Sequence, residues 1–184
     1  MAGGHGAPHG AENKGVALLI AVLALFLAVA EMGAKSAQTE ALNANIEAAN
    51  LWSFFQARTI RQTQLRSAIE QAELDKTDAN RAAIEVQQGR WRGAVERWES
   101  EPATGEGRRE LMERARRAEA TRDRQLDRYH MFEYGSAAFQ VAIVVASAAI
   151  ITGVGLLVWF GAGLGVIGFG LTMLGFFAPG LLHF

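Results

Sequence analysis

Hydrophobic positions in this chain gather into three long runs, uncharged but for Glu31 near the far end of the first, with a charged and periodically patterned segment between the first and the second. The first run lies between Lys14 and Lys35, and at helical rise it is ~31 Å long, close to the thickness of a bilayer's hydrocarbon. Gly135 to Leu182 supplies the other two, GSAAFQVAIVVASAAIITGVGLLVWF and GAGLGVIGFGLTMLGFFAPGLL, without one charged side chain. Each is longer than the ~18–20 residues that cross a membrane as a helix. The pattern predicts spans at 14–35, 134–160 and 161–182, with the last two forming a tight antiparallel hairpin about Gly161-Ala162-Gly163.

Between the spans the rhythm is helical throughout. Leu51, Phe55, Arg58, Leu65, Ile69 and Ala72 share one face, and Ile84, Trp91, Val95 and Trp98 share another. Asp75-Lys76-Thr77-Asp78 has no apolar residue and offers Thr77 or Asp78 as an N-cap. A break there is also required by length. An unbroken helix from Ser36 to Ser100 would measure ~95 Å, against ~40 Å for Arg108 to Glu133. Glu101-Pro102-Ala103-Thr104-Gly105-Glu106-Gly107 reads as a loop by its proline and glycines. In the last solvated helix Leu111, Ala115, Ala118, Gln125, Tyr129 and Phe132 form the inner stripe, and Glu110–Arg114 and Glu113–Arg117 are spaced as i,i+4 ion pairs.

The expected fold is therefore all-α: an integral membrane protein with three transmembrane helices and a helical, coiled-coil-like extramembrane domain (36–133) inserted between the first and second spans. Its helices are predicted at 36–74, 79–100 and 108–133, after a disordered tail over 1–13. The last solvated helix is expected to continue into the second span, with Tyr134 and Trp159 ~37 Å apart along it at opposite interfaces. Cleavage after Ala28-Val29-Ala30, as in a signal peptide, is the rival reading of the first run.

Each span carries small residues at steps of four and three: Ala17, Ala21, Ala24 and Ala28; Ala142, Ala146, Ala149 and Gly153; Gly161, Gly165, Gly168, Thr172 and Gly175. Lipid gives helices no hydrophobic reason to associate, so close backbone approach at small residues supplies the attraction. The stripes are accordingly expected to pack helices, within one chain or between copies. Trp52, Phe54, Phe55, Trp91 and Trp98 are candidate interaction residues, because a thin helical hairpin offers little core to hold them.

Charge and composition narrow the chemistry. The net charge is −1 and there is no cysteine, so disulfides, thiolate metal sites and cysteine nucleophiles are excluded. Eight arginines between Arg108 and Arg128 are interleaved with acids, which describes a solvated salt-laced helix rather than a nucleic-acid surface. His5 and His9 sit in a glycine-rich tail, and His130 lies at an expected interface, where packing or a pH response are its alternatives. Away from the span ends, where Glu31 is within reach of headgroups, the polar groups are Ser147, Thr152 and Thr172, with Gln140 near an interface, whereas transporters keep ionisable residues at membrane depth. No catalytic, cofactor or metal signature emerges, and no enzyme activity is expected.

Asn50-Leu51-Trp52-Ser53-Phe54-Phe55-Gln56-Ala57-Arg58-Thr59-Ile60-Arg61-Gln62 resembles the signature of a bacterial membrane family known as domain of unknown function 4337. The resemblance extends to Ala37-Gln38-Thr39-Glu40, Glu99-Ser100-Glu101-Pro102 and Tyr129-His130-Met131-Phe132-Glu133. It implies a three-span helical membrane protein and brings no assigned activity. Lys14 beside the first span, against an uncharged C-terminal flank, favours an inner-membrane protein with its N-terminus inside and its helical domain in the periplasm. Counting Lys35, Arg122, Arg124 and Arg128 instead puts that domain in the cytoplasm. The functional expectation is a self-associating scaffold or docking protein in contact with lipid, the alternatives being an accessory subunit of a larger membrane complex and an oligomeric channel.

Overall fold

The computed structural model describes residues 9–181. Among them are four α-helices, α1 His9–Leu74, α2 Arg81–Glu99, α3 Arg108–Thr152 and α4 Gly155–Phe177, then a 3-10 turn at Pro179–Leu181, and no strand. The tail expected over 1–13 lies largely outside the described residues. The stretches of α1, α3 and α4 that are long and apolar enough to cross a membrane number three. The chain divides into two compact units: residues up to Ala41 with those from Asp123 on, and Leu42–Arg122.

In the unit Leu42–Arg122, α2 and α3 pack against α1 in succession. Gln88 on α2 donates to the Ile69 carbonyl at 3.0 Å, and the Val95 carbonyl accepts from Gln62 at 2.9 Å, so α2 returns antiparallel along the far part of α1. Next, α3 returns along the nearer part, where Leu111, Ala115 and Ala118 close on Ala48 and Leu51. The length mismatch evident in the sequence is thus met by two helices sharing one long partner. Alanine at Ala44, Ala48, Ala115 and Ala118 lets the backbones of α1 and α3 come close, at little cost in side-chain entropy.

The turn after α1 closes differently from the expectation. Asn80, not Thr77 or Asp78, precedes α2. Its Oδ1 accepts from the Thr77 N–H at 2.6 Å, and its Nδ2 donates to the Asp75 carbonyl at 3.1 Å. One amide side chain satisfies both sides of the turn, accepting through its oxygen and donating through its nitrogen, which an Asp carboxylate with no donor has no means to do.

The other unit is a three-helix bundle. Leu23 and Ala30 of α1 meet Phe139 and Ala142 of α3, flanked by Phe26, Ile143 and Leu164. The Phe26 ring lies 6.0 Å from Phe139 and 5.1 Å from Phe169, the second edge-on, as aromatic quadrupoles favour. The boundary between the second and third spans corrects the sequence reading. Helix α3 ends at Thr152 and α4 begins at Gly155, so 134–160 is not one span and Gly161-Ala162-Gly163 lies inside α4. Gly153 makes the turn with φ +70°, a left-handed conformation that glycine adopts without strain. Trp159 therefore belongs to α4 and not to the helix of Tyr134.

Candidate functional site

Two contact sites organise the units. The first, in Leu42–Arg122, is a polar junction where α2 ends and α3 begins. Gln62 is 1% exposed. Its Nε2 donates to Val95 O and, at 3.0 Å, to Glu99 Oε2, while its Oε1 accepts from Arg108 Nη1 at 2.8 Å. Arg108 also reaches Glu99 Oε2 at 2.9 Å, and its guanidinium lies 5.0 Å from the Phe55 ring. Hydrogen bonding from Gln62, then the charges of Arg108 and Arg109, hold the Glu99 carboxyl below its ordinary pKa against the opposing effect of burial.

Glu110 fixes the adjoining loop rather than its i,i+4 neighbour Arg114. Its Oε1 accepts from the Ser100 hydroxyl at 2.6 Å and its Oε2 from the Glu101 N–H at 3.2 Å. The Ser100 bond leads in lowering its pKa. Two fixed donors in the loop outcompete a flexible arginine on an exposed face; Arg114 instead approaches the Gly105 carbonyl at 3.5 Å. Glu113 and Arg117 do pair, at 3.3 Å, both well exposed. Gly107 is buried in the loop, where a Cβ would collide with Glu110 Oε2, the Glu101 N–H and Ser100 Cα.

The second site is the seam between α3 and α4. A Cβ on Gly161 would lie 3.1 Å from the Ala142 carbonyl oxygen, and one on Gly168 3.0 Å from that of Gly135. Gly175 faces Phe132 and Met131. Arg128 Nε donates to the Gly175 carbonyl at 3.3 Å, a cation at the negative end of α4. The small-residue stripes of the second and third spans thus come together, with Ala142, Ala146, Ala149, Gly161, Gly165, Gly168, Thr172 and Gly175 all buried. Gly153 is exposed in the turn, and Ala17, Ala21, Ala24 and Ala28 point away from the bundle.

Residues 12–178 match the family described as Domain of unknown function (DUF4337). The chain belongs to this family. No curated protein and no solved structure matches it.

The most recognisable run of this DUF4337 chain, Asn50–Gln62, holds much of the junction. Trp52 donates Nε1–H to Glu119 Oε1 at 2.8 Å and packs edge-on to Phe55 at 5.4 Å. Trp98 lies 6.0 Å from the Arg58 guanidinium, which pairs with Glu106 at 2.7 Å. Trp52, Phe55, Trp91 and Trp98 are all half-buried; of the five candidate interaction residues only Phe54 is well exposed, at 64%.

Sequence reasoning missed Gln62, Gln88, Gly107 and Gly135. Gly135 had a signal, since a step of seven back from Ala142 reaches it. Gln62 lies seven residues beyond Phe55 on the inner face, but its amide gives no apolar mark. Among the described residues no group of three or more His, Asp or Glu is placed to hold a metal ion.

Proposed function

We propose that this DUF4337 chain is a non-enzymatic, self-associating scaffold of the bacterial inner membrane. Residues 14–35 of α1, 134–152 of α3 and the whole of α4 cross the bilayer. The unit Leu42–Arg122 lies outside it, on the periplasmic side, as an antiparallel coiled-coil-like pairing of α1 with α2 and then α3. One observation carries the reading. The buried polar side chains Gln62 and Gln88 of this unit are bonded to backbone carbonyls and to Glu99 and Glu73, which closes the helices on each other. Polar groups committed in this way stabilise a shape instead of serving a reaction, and the unit's product is its surface.

Purification of the full chain in a mild detergent, with mass measurement, tests this. A discrete homo-oligomer is expected. Heterologous subunits at fixed stoichiometry would make it an accessory subunit instead. A lone monomer across detergents of different chain length overturns the reading.

A further inference from the structure

Gln62 and Gln88 make the same set of contacts from opposite helices. Gln88 of α2 donates to the Ile69 carbonyl at 3.0 Å and to Glu73 Oε2 at 3.1 Å, and Lys76 pairs with Glu73 at 2.8 Å. Gln62 of α1 donates to the Val95 carbonyl at 2.9 Å and to Glu99 Oε2 at 3.0 Å, and Arg108 pairs with Glu99 at 2.9 Å. Each clamp is thus one amide, a carbonyl on the facing helix, the carboxylate four residues beyond that carbonyl, and a cation against the carboxylate. The helices exchange roles between the two clamps, one near the middle of α2 and one at its C-terminal end. Linked polar groups of this kind fix a single alignment of the helices that make them.

The clamps matter because α2 has little else to hold it. Its one buried side chain is Gln88, while Ile84, Trp91, Val95 and Trp98 are half-buried. The pairing of α1 with α3, by contrast, buries Ala48, Leu51, Leu111, Ala115 and Ala118 together. Both ends of α2 are tied independently of it. Asn80 closes the turn onto Asp75 and Thr77, and Glu110 of α3 holds Ser100 and Glu101. Release of α2 therefore frees neither α1 nor α3. A segment with few buried apolar contacts opens at a fraction of the free energy of global unfolding.

We propose that α2 is a strap that leaves α1 as one unit when its two clamps let go, while α1 and α3 stay paired. Opening bares Trp91 and Trp98 of α2. It also bares Leu65 and Ile69, which lie three and seven residues beyond Gln62 and so share its face of α1. The unit Leu42–Arg122 thereby holds an apolar surface under cover, apart from the surface it always shows. This goes beyond the scaffold reading and does not depend on it, since a chain that never self-associates would carry the same strap.

Native-state hydrogen exchange of the full chain in mild detergent, read by mass spectrometry, tests this. Amides of Arg81–Glu99 are expected to exchange together, at least about ten-fold faster than those of 44–51 and 111–118. Gln88→Leu keeps the volume and removes one clamp. It should speed exchange about ten-fold along all of α2, Val95 to Glu99 included, and leave 111–118 unchanged. If that variant fails to fold, Glu73→Gln takes its place. It keeps an acceptor for Gln88 but loses the Lys76 ion pair, and should speed the whole of α2 by a smaller factor. Acceleration confined to the residues around Gln88 or Glu73 would mean that the clamps act separately, and overturns the proposal. So does exchange of α2 in step with 44–51 and 111–118 in the unsubstituted chain, which would make α2 part of the core.

Discussion

The Arg108 guanidinium donates to the Gln62 side-chain oxygen at 2.8 Å, joining the start of α3 to the far part of α1. Because the same amide also holds Val95 and Glu99 of α2, one side chain fixes where α2 stops and α3 takes over. Gln62→Leu keeps the volume but leaves the Val95 carbonyl and two charged groups short of partners. A loss of about 1–3 kcal/mol is expected, the cost of orphaning buried polar groups. Denaturant unfolding of the full chain in mild detergent, followed by tryptophan fluorescence, measures it. An unchanged midpoint would show that the junction does not depend on Gln62.

Acid should loosen the same region. Glu99 and Glu110 are both held below the ordinary glutamate value of 4.5, so protons bind the unfolded chain more readily than the folded one. Their stabilisation is complete above that value and is lost as pH falls through the lowered folded pKa values. Ser100→Ala removes the leading cause at Glu110, and its titration should move up toward the ordinary value while that of Glu99 stays in place. Carboxyl-carbon NMR of glutamate-labelled protein reads both. A Glu110 titration unaffected by Ser100→Ala would contradict the loop geometry.

Much of this architecture is visible in the sequence because it follows from period and length. Apolar runs over 14–35 and beyond Gly135 mark the helices that are long and apolar enough to span. Of the inner stripe, Leu111, Ala115, Ala118, Gln125 and Phe132 are buried on α3, while Tyr129 is only half-buried. What could not be read depends on what lies opposite. Gly153 and Gly161 are the same residue in similar surroundings, yet one turns the chain and the other leaves room for the Ala142 carbonyl to come close. Nor does Gln62 declare itself: its partners are set by how many residues the loop before α3 absorbs, and Glu110 helps to set that number from a position that reads as ordinary surface charge.

Gly153 should tolerate substitution poorly for conformational reasons alone. Its φ is +70° and no atom lies within 4 Å of its missing Cβ, so crowding plays no part. Gly153→Ala should cost about 1–2 kcal/mol from the left-handed backbone, and Gly153→Asn less, since asparagine enters that region more readily. Thermal unfolding monitored by circular dichroism in detergent ranks the two. Equal losses would point to a steric role that the geometry does not contain.

Along α4, glycines divide by what each faces, and substitution should follow that division. Gly161 and Gly168 oppose backbone carbonyls, which cannot move aside without shifting α3. Alanine at either should cost about 1–3 kcal/mol by overpacking. Gly165 opposes only the Leu23 methyl at 2.5 Å; a rotamer change of that side chain relieves the contact, so Gly165→Ala should cost less. Gly163 and Gly170 have nothing within 4 Å, and alanine there should be neutral or stabilising by up to about 1 kcal/mol through helix propensity. Loss of the monodisperse peak on heating, followed by size-exclusion chromatography in one detergent, orders all five variants. If Gly163→Ala and Gly170→Ala cost as much as Gly161→Ala and Gly168→Ala, close approach to α3 is not what holds α4 in place.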